Sequence, residues 1–560
     1  MYFKRHSLRF VFLFLLFFCL LIFFVAKLIF IQVFKSDYLS GLADRQHSHI
    51  LRLEPKRGTI YDRKLRPLAL NVTAYSLYAS PRTMSEEQRD KAIKALQKML
   101  GLEESFLKDR MNRDKNFIWI ARKLSPEQAD KVKALKIKGL DFMKESRRYY
   151  PGQSLAAHII GFAGIDNYGL EGLELEYNEF LRGQFGMAQI LRDAKQRELL
   201  IQKSFLLPRD GFDLVLTIDE TIQYFAEQAL DKAFKKHHAK GASIIVMNPK
   251  TGEILALANR PTYNLSDIGS SALDSRRNRS VSDMYEPGSV FKIVTASAAL
   301  EEDAFGEDDE IFCENGEYRV ANHILHDHHA QGTLTFKGVI EQSSNIGTVK
   351  VAQKIGGKIV NHYARLFQFG KATGINLPGE VPGVLKPVSR WSGTSIGAVP
   401  IGHEVGVTPL QLVCAVSAIA NGGIYMKPFI VQYIRDQKGE VINGFFPQPI
   451  TEVISQETAE RVKNILVGVV DNGTGRRAQI KGVKVAGKTG TAQKIVNGVY
   501  SHSKYYATFI GFAPADDPKI AMVVFFDEPH PNHYGGTVSA PVFREVVENV
   551  LKYLRANDVK

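Results

Sequence analysis

The longest unbroken run of apolar residues lies near the N-terminus. Phe10 to Ala26 is a run of 17 apolar residues, which as a helix would be about 26 Å long. Leu28 to Ile31 extends this run toward the roughly 30 Å thickness of a bilayer's hydrocarbon core. The pattern predicts a transmembrane anchor over residues 10–34 rather than a cleaved signal peptide, whose apolar core would be shorter.

Basic residues next to this run predict its orientation. Lys4, Arg5 and Arg9 precede the apolar residues, and positive charge is enriched on the cytoplasmic side of membrane spans. Residues 1–9 are therefore predicted to be cytoplasmic. Everything after Lys35 is predicted to lie outside the cytoplasm, on the periplasmic or extracytoplasmic face of a single-pass protein of the cytoplasmic (inner) membrane.

The region that follows alternates short strand-like runs with turn signals. The stretch from Ser85 to Met111 is charged and has apolar residues at helical spacing, but it contains no cluster of chemically reactive residues. Residues 36–205 are predicted to form an extended, mixed α/β pedestal or dimerisation-like domain without catalytic residues.

From Gly211 onward the apolar pattern becomes more regular. Phe212–Thr217 alternates like a strand, and Asp219 is placed to cap a helix over Glu220–Lys236. Further elements are predicted as strands over Gly241–Met247, Ile254–Ala258, Tyr506–Phe512 and Ile520–Phe526 and as a helix over Val542–Leu554. Residues 211–556 are thus predicted to be an α+β domain. It would hold an antiparallel sheet flanked by helices, with an all-helical insert around residues 265–475.

Length and charge narrow the class of protein. The 560 residues exceed one typical domain. The net charge of +13 is spread over many short stretches, which favours a solvated basic surface over a nucleic-acid groove. No nucleic-acid partner and no cofactor are expected.

The cysteine and histidine residues do not have the spacing that is typical of a metal-binding site. Cys19 lies inside the apolar run, and the isolated Cys313 and Cys414 are typical of buried free thiols. A segment of contiguous His and Asp residues, His323, His326, Asp327, His328 and His329, resembles a metal cluster. Residues so close in sequence rarely converge on one ion, so no metal is predicted.

Candidate chemistry begins at Ser289. Pro287-Gly288 interrupts the chain, and Val290–Leu300 has a helical pattern, so Ser289 is predicted at a helix N-terminus, where developing negative charge is favoured. Lys292 follows at the spacing that puts both side chains on one face. A lysine becomes a base for a serine hydroxyl only if burial or a second cation depresses its pKa, and Lys488 is the candidate cation. Taken alone, the cluster would be read as a helix cap with an exposed lysine.

Two further clusters follow, the first about 50 residues after Lys292 and the second about 140 residues after the first. The hydroxyl of Ser343, in Ser343-Ser344-Asn345, could relay protons, and the amide of Asn345 could bind a substrate peptide bond. In Lys488-Thr489-Gly490-Thr491, the lysine and the threonine hydroxyls suit a terminal carboxylate. Taken singly, these clusters would be read as a helix cap and a turn.

The last cluster follows a short strand run, which suggests binding of an extended peptide along a sheet edge. Gly490 would let the substrate backbone approach closely. The backbone N–H groups of Ser289 and Thr491 would together form an oxyanion hole.

In this order the three clusters resemble the active-site motifs of penicillin-binding proteins and serine β-lactamases. The surrounding sequence resembles class B penicillin-binding proteins in the stretches Arg57–Arg63, Arg148–Gly152, Gly169–Glu174, Tyr285–Ser289, Val407–Gln411 and Tyr534–Gly536. Leu377–Glu380 and the chain length are more similar to the division-type enzyme than to the elongation-type one.

The resemblance implies a D,D-transpeptidase for peptidoglycan. Ser289 would be acylated by a D-Ala-D-Ala stem peptide, with Lys292 as its base and Ser343 between Lys292 and Lys488. Asn345 and residues 488–491 would hold the donor peptide. β-Lactams would mimic that donor and inhibit the enzyme covalently. The implied partners are a separate lipid-linked glycan polymerase of the SEDS type and other division proteins.

Other functions remain open at this point. An elongation-type enzyme would use the same chemistry. A β-lactamase needs a glutamate that activates water, and no comparable motif lies between residues 345 and 488. A bifunctional polymerase would need a paired acidic motif within residues 36–205, where none is found. A β-lactam sensor would share the serine chemistry of a β-lactamase, and the large N-terminal region is superfluous to such an enzyme. A catalytically silent division scaffold is disfavoured because every reactive residue is present.

Overall fold

The computed structural model describes residues 2–39, 48–192 and 198–558. These residues divide into two compact units: Met1–Lys56 with Gly183–Asp210, and Arg57–Arg182 with Gly211–Lys560. The second unit holds every predicted site residue.

The first unit contains the predicted anchor. One helix covers Tyr2–Ile29 and continues through a π-helical turn at Phe30–Phe34. Its segment Leu8–Phe34 is long and apolar enough to cross a membrane, and apolar side chains are exposed all around it, as lipid contact requires. The unit also holds a three-stranded sheet of Ser48–Leu53, Gly186–Arg192 and Glu198–Leu206, in that order.

A five-stranded antiparallel sheet, the central sheet, organises the second unit. Its spatial order is Ile254–Arg260, Gly241–Met247, Ile520–Asp527, Val499–Ala513 and Ala486–Val496. Both faces are buried. Ile244 and Val246 belong to one apolar cluster and Ile245 and Met247 to another, as the two-residue period of a strand requires. Burial on both faces explains why these strands read as continuous apolar runs.

Helices cover one face of the central sheet. Glu220–Lys236 has the bounds predicted for it, and the carboxylate of Asp219 accepts N–H bonds from Thr221 and Ile222 at 3.0 and 3.4 Å. The C-terminal helix, Gly535–Asp558, packs beside it through the same apolar cluster. The predicted helix over Val542–Leu554 is therefore confirmed and begins earlier in the structure.

The opposite face packs against the insert. Its helices are Lys292–Glu301, Phe336–Glu341, Asn345–Ile355, Gly357–Leu366, Pro409–Ala420 and Gln456–Asp471. The α+β arrangement is confirmed, but the insert is not all-helical. It also carries the two-stranded ribbons Glu310–Phe312 with Thr333–Thr335, Glu317–Val320 with His323–His326, Val384–Leu385 with Val405–Gly406, and Ile424–Met426 with Pro449–Glu452. Strands of two to four residues are too short to show a two-residue period in sequence.

A second sheet joins strands that lie before Gly211 to strands that lie after it. Its order is Val441–Gly444, Val431–Arg435, Asp213–Leu216, Ile60–Tyr61, Pro67–Ala79 and Ile118–Leu124, and Leu140–Tyr149 also pairs with Pro67–Ala79. The predicted helical stretch from Ser85 forms two helices, Glu86–Leu100 and Glu104–Met111, and a third helix follows at Pro126–Lys133. The remaining short helices are Ala157–Ile160, Gly172–Glu176, Asn178–Leu181, Arg279–Ser282 and Ser395–Ala398.

One buried carboxylate connects three of the sequence motifs that lie before Gly211, namely Arg57–Arg63, Arg148–Gly152 and Gly169–Glu174. Glu174, which is 0 % exposed, accepts hydrogen bonds from Arg57 Nε at 2.5 Å and from Arg148 Nε at 2.6 Å. Arg148 also donates to Gly58 O, and Arg57 donates to the side-chain oxygen of Asn178. Burial lowers the pKa of Arg57. The motifs are thus explained by a buried ion cluster, because charges removed from water must be paired.

Candidate active site

Ser289 lies in a tight turn in front of a helix. The turn, Gly288–Phe291, is a 3-10 helix that leads directly into the α-helix Lys292–Glu301. Gly288 has a φ of +57° and donates its N–H to Gly402 O at 3.1 Å. A Cβ on Gly402 would lie 2.2 Å from Gly288 O, so glycine is required there for close packing. Ser289 is half-buried at the positive end of the helix.

Lys292 is fully buried and is held by residues of the second cluster, Ser343-Ser344-Asn345. Its Nζ donates to Ser343 O at 2.6 Å, to the side-chain oxygen of Asn345 at 2.8 Å and to Ser343 Oγ at 3.3 Å. Ser343 has a φ of +60°, a left-handed conformation that is unfavourable for serine. This strained residue presents both its carbonyl and its hydroxyl to Lys292.

Ser343 Oγ also contacts the third cluster, Lys488-Thr489-Gly490-Thr491. Lys488 Nζ donates to it at 2.9 Å, and Lys488 is 0 % exposed. The serine hydroxyl therefore lies between two buried amines that are far apart in sequence. A hydroxyl can accept and donate at once, so this arrangement can pass a proton from one amine to the other.

Asp327 is not part of the second cluster but holds it in place through hydrogen bonds. Its carboxylate accepts from Ser344 Oγ at 2.5 Å, from the N–H of Asn345, and from the N–H of Ile346 at 3.0 Å. These N–H groups open the helix Asn345–Ile355, where a negative charge is stabilised. The sequence placed Asp327 in a histidine-rich segment and gave no sign of this role, because only the fold brings it to the helix.

The third cluster lies on an edge strand of the central sheet. Ala486–Val496 pairs with Val499–Ala513 on one side, and no other described strand pairs with it. Thr489 Oγ1 is 2.6 Å from Thr474 Oγ1, and Thr491 Oγ1 accepts from the N–H of Gly535 at 3.1 Å. The strand therefore presents a backbone edge that an extended peptide can pair with.

Gly490 has a structural reason for its identity. A Cβ at this position would lie 2.9 Å from Val290 Cγ1 and 3.1 Å from Pro287 O. The Ser289 turn thus packs directly on Gly490, whereas the sequence suggested substrate approach as the reason for glycine. A Cβ on Gly288 would lie 3.3 Å from Thr491 O, which places the Ser289 turn beside Thr491.

Burial changes the chemistry of both lysines. It lowers the pKa of Lys292 to about 7, although Asp327 and Cys313 act in the opposite direction. Burial, followed by repulsion from Lys292, lowers the pKa of Lys488 well below its usual value. Near neutral pH a substantial fraction of Lys292 is unprotonated and can accept a proton. Burial, and not the predicted charge on Lys488, lowers the pKa of Lys292.

The cysteines near these residues are not cross-linked. Cys313 and Cys414 are buried free thiols, and Cys19 is free and exposed. Burial raises the pKa of Cys313 and raises that of Cys414 to about 12. Both buried thiols are therefore protonated at neutral pH.

Comparison with known families assigns the chain. Residues 242–548, more than half of the 560, match the penicillin binding protein transpeptidase domain, and residues 52–216 match the penicillin-binding protein dimerisation domain. The chain belongs to the penicillin-binding proteins. The predicted class B transpeptidase and its fold class are confirmed.

Several curated relatives of this penicillin-binding protein align over nearly its whole length. Stage V sporulation protein D of Bacillus subtilis is 36% identical over 97% of this chain and 85% of its own. The probable peptidoglycan D,D-transpeptidase PenA of Neisseria gonorrhoeae is 33% identical, over 96% and 91%. The peptidoglycan D,D-transpeptidase FtsI of Escherichia coli K12 is 32% identical, over 95% and 89%.

Solved structures share the fold of this penicillin-binding protein. Penicillin binding protein 3 of Mycobacterium tuberculosis in complex with aztreonam has a TM-score of 0.71 and 29% identity, over 90% of this chain and 97% of its own. Penicillin binding protein 2X of Streptococcus thermophilus has a TM-score of 0.75 and 26% identity, over 90% and 80%.

Proposed function

We propose that this penicillin-binding protein cross-links peptidoglycan stem peptides at the division septum through an acyl-enzyme on Ser289. The observation that carries the proposal is the buried Lys292, whose pKa is lowered to about 7 and which is hydrogen-bonded to Ser343 and Asn345. A buried lysine of this kind is a base rather than an ion-pair partner. It lies three residues after Ser289, on the helix that the Ser289 turn opens.

The acylation step follows from these positions. Lys292 Nζ takes the proton of Ser289 Oγ, which attacks the carbonyl carbon between the two D-alanines of the donor. The N–H groups of Ser289 and Thr491 stabilise the oxyanion. When the C–N bond breaks, the proton passes to the amine of the leaving D-alanine, with Ser343 Oγ and Lys488 completing the relay.

The second step reverses the proton path. An amine from a neighbouring stem peptide attacks the acyl carbon and gives up a proton to the same relay. The bond between the acyl carbon and Ser289 Oγ breaks, and Ser289 regains its proton. The products are a cross-linked peptide and free enzyme. A β-lactam enters at the first step, but its leaving amine stays tethered to the acyl group.

The edge strand and Asn345 suit the donor peptide. Because Thr491 Oγ1 accepts the Gly535 N–H, its own proton is available to the terminal carboxylate of the donor. Lys488 and Thr489 lie beside it on the same strand. Asn345 binds Lys292 through its side-chain oxygen and His326 O through its nitrogen, which fixes its amide next to the cleft.

The β-lactamase alternative has little structural support. Glu286 is the carboxylate nearest in sequence before Ser289, and it accepts hydrogen bonds from Glu404 N–H at 2.9 Å and from Tyr500 OH at 3.1 and 3.2 Å. His403 Nδ1 lies 2.8 Å from the same group. A carboxylate engaged in this way is not poised to activate water for deacylation.

Residues 10–34 anchor the enzyme as a single-pass protein of the cytoplasmic (inner) membrane. The basic residues Lys4, Arg5 and Arg9 support a cytoplasmic N-terminus and an extracytoplasmic catalytic domain. The substrate partner is peptidoglycan with D-Ala-D-Ala stem peptides, and a separate SEDS-type polymerase and other division proteins are its membrane partners.

Depletion and complementation test both the role and the chemistry. Depleting the protein from its host is expected to give filaments, because septal cross-linking stops while elongation continues. The wild-type chain should restore division, whereas Ser289→Ala, which removes one hydroxyl, should not. Ser282→Ala is a matched control and should restore division. Rounded cells would assign the elongation role instead, and rescue by Ser289→Ala would support a scaffold.

A further inference from the structure

A partly shielded carboxylate three residues before Ser289, that of Glu286, contacts three segments of the fold. Glu286 Oε1 accepts from the backbone N–H of Glu404 at 2.9 Å, and Glu286 Oε2 lies 2.8 Å from His403 Nδ1. The hydroxyl of Tyr500 donates to both carboxylate oxygens, at 3.2 and 3.1 Å. The side chain of Glu286 is 14% exposed and that of His403 is 26% exposed. All three segments thus contact one carboxylate, while Tyr500 itself is 38% exposed.

Two of these segments are already rigidly paired beside Ser289. Tyr285 and Val407 exchange both backbone hydrogen bonds, at 3.0 and 2.9 Å. The N–H of Gly288 donates to Gly402 O, and a Cβ on Gly402 would lie 2.2 Å from Gly288 O, so the two backbones pack closely. Glu286 lies between these two contacts, so its bonds to residues 403 and 404 complete a short ladder that supports the Ser289 turn.

The third segment is the far end of the hairpin that carries the substrate-binding strand. Val496 pairs with Val499 and Ile495 with Tyr500, around a two-residue turn at Asn497-Gly498. Both turn residues have positive φ, at 53° and 82°, as a tight hairpin turn requires. The strand Ala486–Val496 pairs with Val499–Ala513 on one side and has no strand on its other side among the described residues. The Tyr500 hydroxyl therefore connects the hairpin end to the Ser289 turn.

The aromatic ring of His403 supports the same connection. Its centroid lies 5.3 Å from that of Tyr500, in an edge-to-face arrangement. The Glu286 carboxylate raises the pKa of Tyr500 further above the value that burial already sets, so the hydroxyl stays protonated and can donate. The contact is a hydrogen bond to an anion, which is among the stronger types in proteins.

We propose that Glu286 and Tyr500 are positioning residues for the transpeptidase reaction. Their contact holds the hairpin Ala486–Ala513 against the Ser289 turn, so that residues 488–491 pair with the donor peptide at the distance that attack by Ser289 requires. This proposal rests on the proposed function of Ser289. Neither residue touches the reacting atoms; each acts through the strand or the turn that it holds.

Pre-steady-state acylation by a chromogenic cephalosporin tests the proposal on the full-length protein in detergent. The experiment separates the dissociation constant of the pre-covalent complex from the acylation rate constant. Tyr500→Phe removes one hydroxyl and is expected to lower their ratio, the second-order acylation constant, about ten-fold, mainly through weaker pre-covalent binding. The matched control is Tyr505→Phe, whose hydroxyl donates to His502 O within the same hairpin and which should stay within two-fold of wild type.

A double-mutant cycle gives a result that a merely structural role would not produce. Glu286→Ala should lower the second-order constant at least as much as Tyr500→Phe does. Adding Tyr500→Phe to Glu286→Ala should then cost less than two-fold, because the contact is already lost. Multiplicative losses, or a Tyr500→Phe variant with wild-type rates, would overturn the proposal. Absence of an adduct on Ser289 in the wild-type protein would instead overturn the proposed function.

Discussion

Lys292→Met is expected to slow acylation of Ser289 by a β-lactam about a thousand-fold or more. Methionine fills a similar volume without a basic nitrogen, so the Ser289 turn and helix remain packed while the base is lost. The measurement is the second-order rate of acylation, followed with a fluorescent penicillin. Lys484→Met is the matched control, because Lys484 is mostly exposed and forms a surface ion pair with Asp516.

The lowered pKa of Lys292 also sets the pH dependence of acylation in the wild-type enzyme. The pKa of Lys292 is lowered to about 7, so the active, unprotonated form predominates above that pH and disappears below it. Acylation should therefore fall about ten-fold for each pH unit below the pKa and level off above it. A flat profile between pH 5 and 8, or normal labelling of Lys292→Met, would place the base elsewhere.

Glu174→Gln is expected to destabilise the protein by about 3–5 kcal/mol. The substitution keeps the shape of the side chain but removes the charge that pairs with Arg57 and Arg148, so two buried guanidinium groups lose their counterion. The full-length protein in detergent should unfold several degrees lower in a thermal melt. Glu176→Gln is the matched control, since Glu176 lies two residues on and is exposed.

The substitution Glu174→Gln is expected to change the stability of the protein but not the chemistry of its folded form. Glu174 belongs to the same compact unit as Ser289, yet none of its contacts involves the three catalytic clusters. The folded fraction of Glu174→Gln should therefore be acylated at the wild-type rate. A melting temperature within one degree of wild type would show that the buried cluster does not stabilise the native state.

Sequence alone predicted the elements whose signals are local. The helix Glu220–Lys236 was predictable because Asp219 caps it. The strands Gly241–Met247 and Ile254–Ala258 were predictable because turn residues separate two apolar runs, and the second strand extends to Arg260 in the structure. The same reasoning could have found the hairpin turn at Asn497-Gly498, which is a strong local signal.

Other features depend on contacts distant in sequence and gave no local signal. Asp327 holds the second cluster by reaching a helix that begins eighteen residues later. Ser343, with its left-handed φ, contacts Lys292, which lies 51 residues earlier. Gly490 was correctly singled out as a position that needs glycine, but its neighbour is the Ser289 turn, which lies about 200 residues earlier. The domain bounds at 36–205 and 211–556 stay a prediction.

In the proposed mechanism Ser289 carries the acyl group. Its most direct test is mass spectrometry of the full-length protein after incubation with benzylpenicillin, followed by mapping of the modified peptide. We predict one adduct per chain, located on Ser289, and no adduct in Ser289→Ala. An unmodified wild-type protein, or an adduct that persists in Ser289→Ala, would contradict the account.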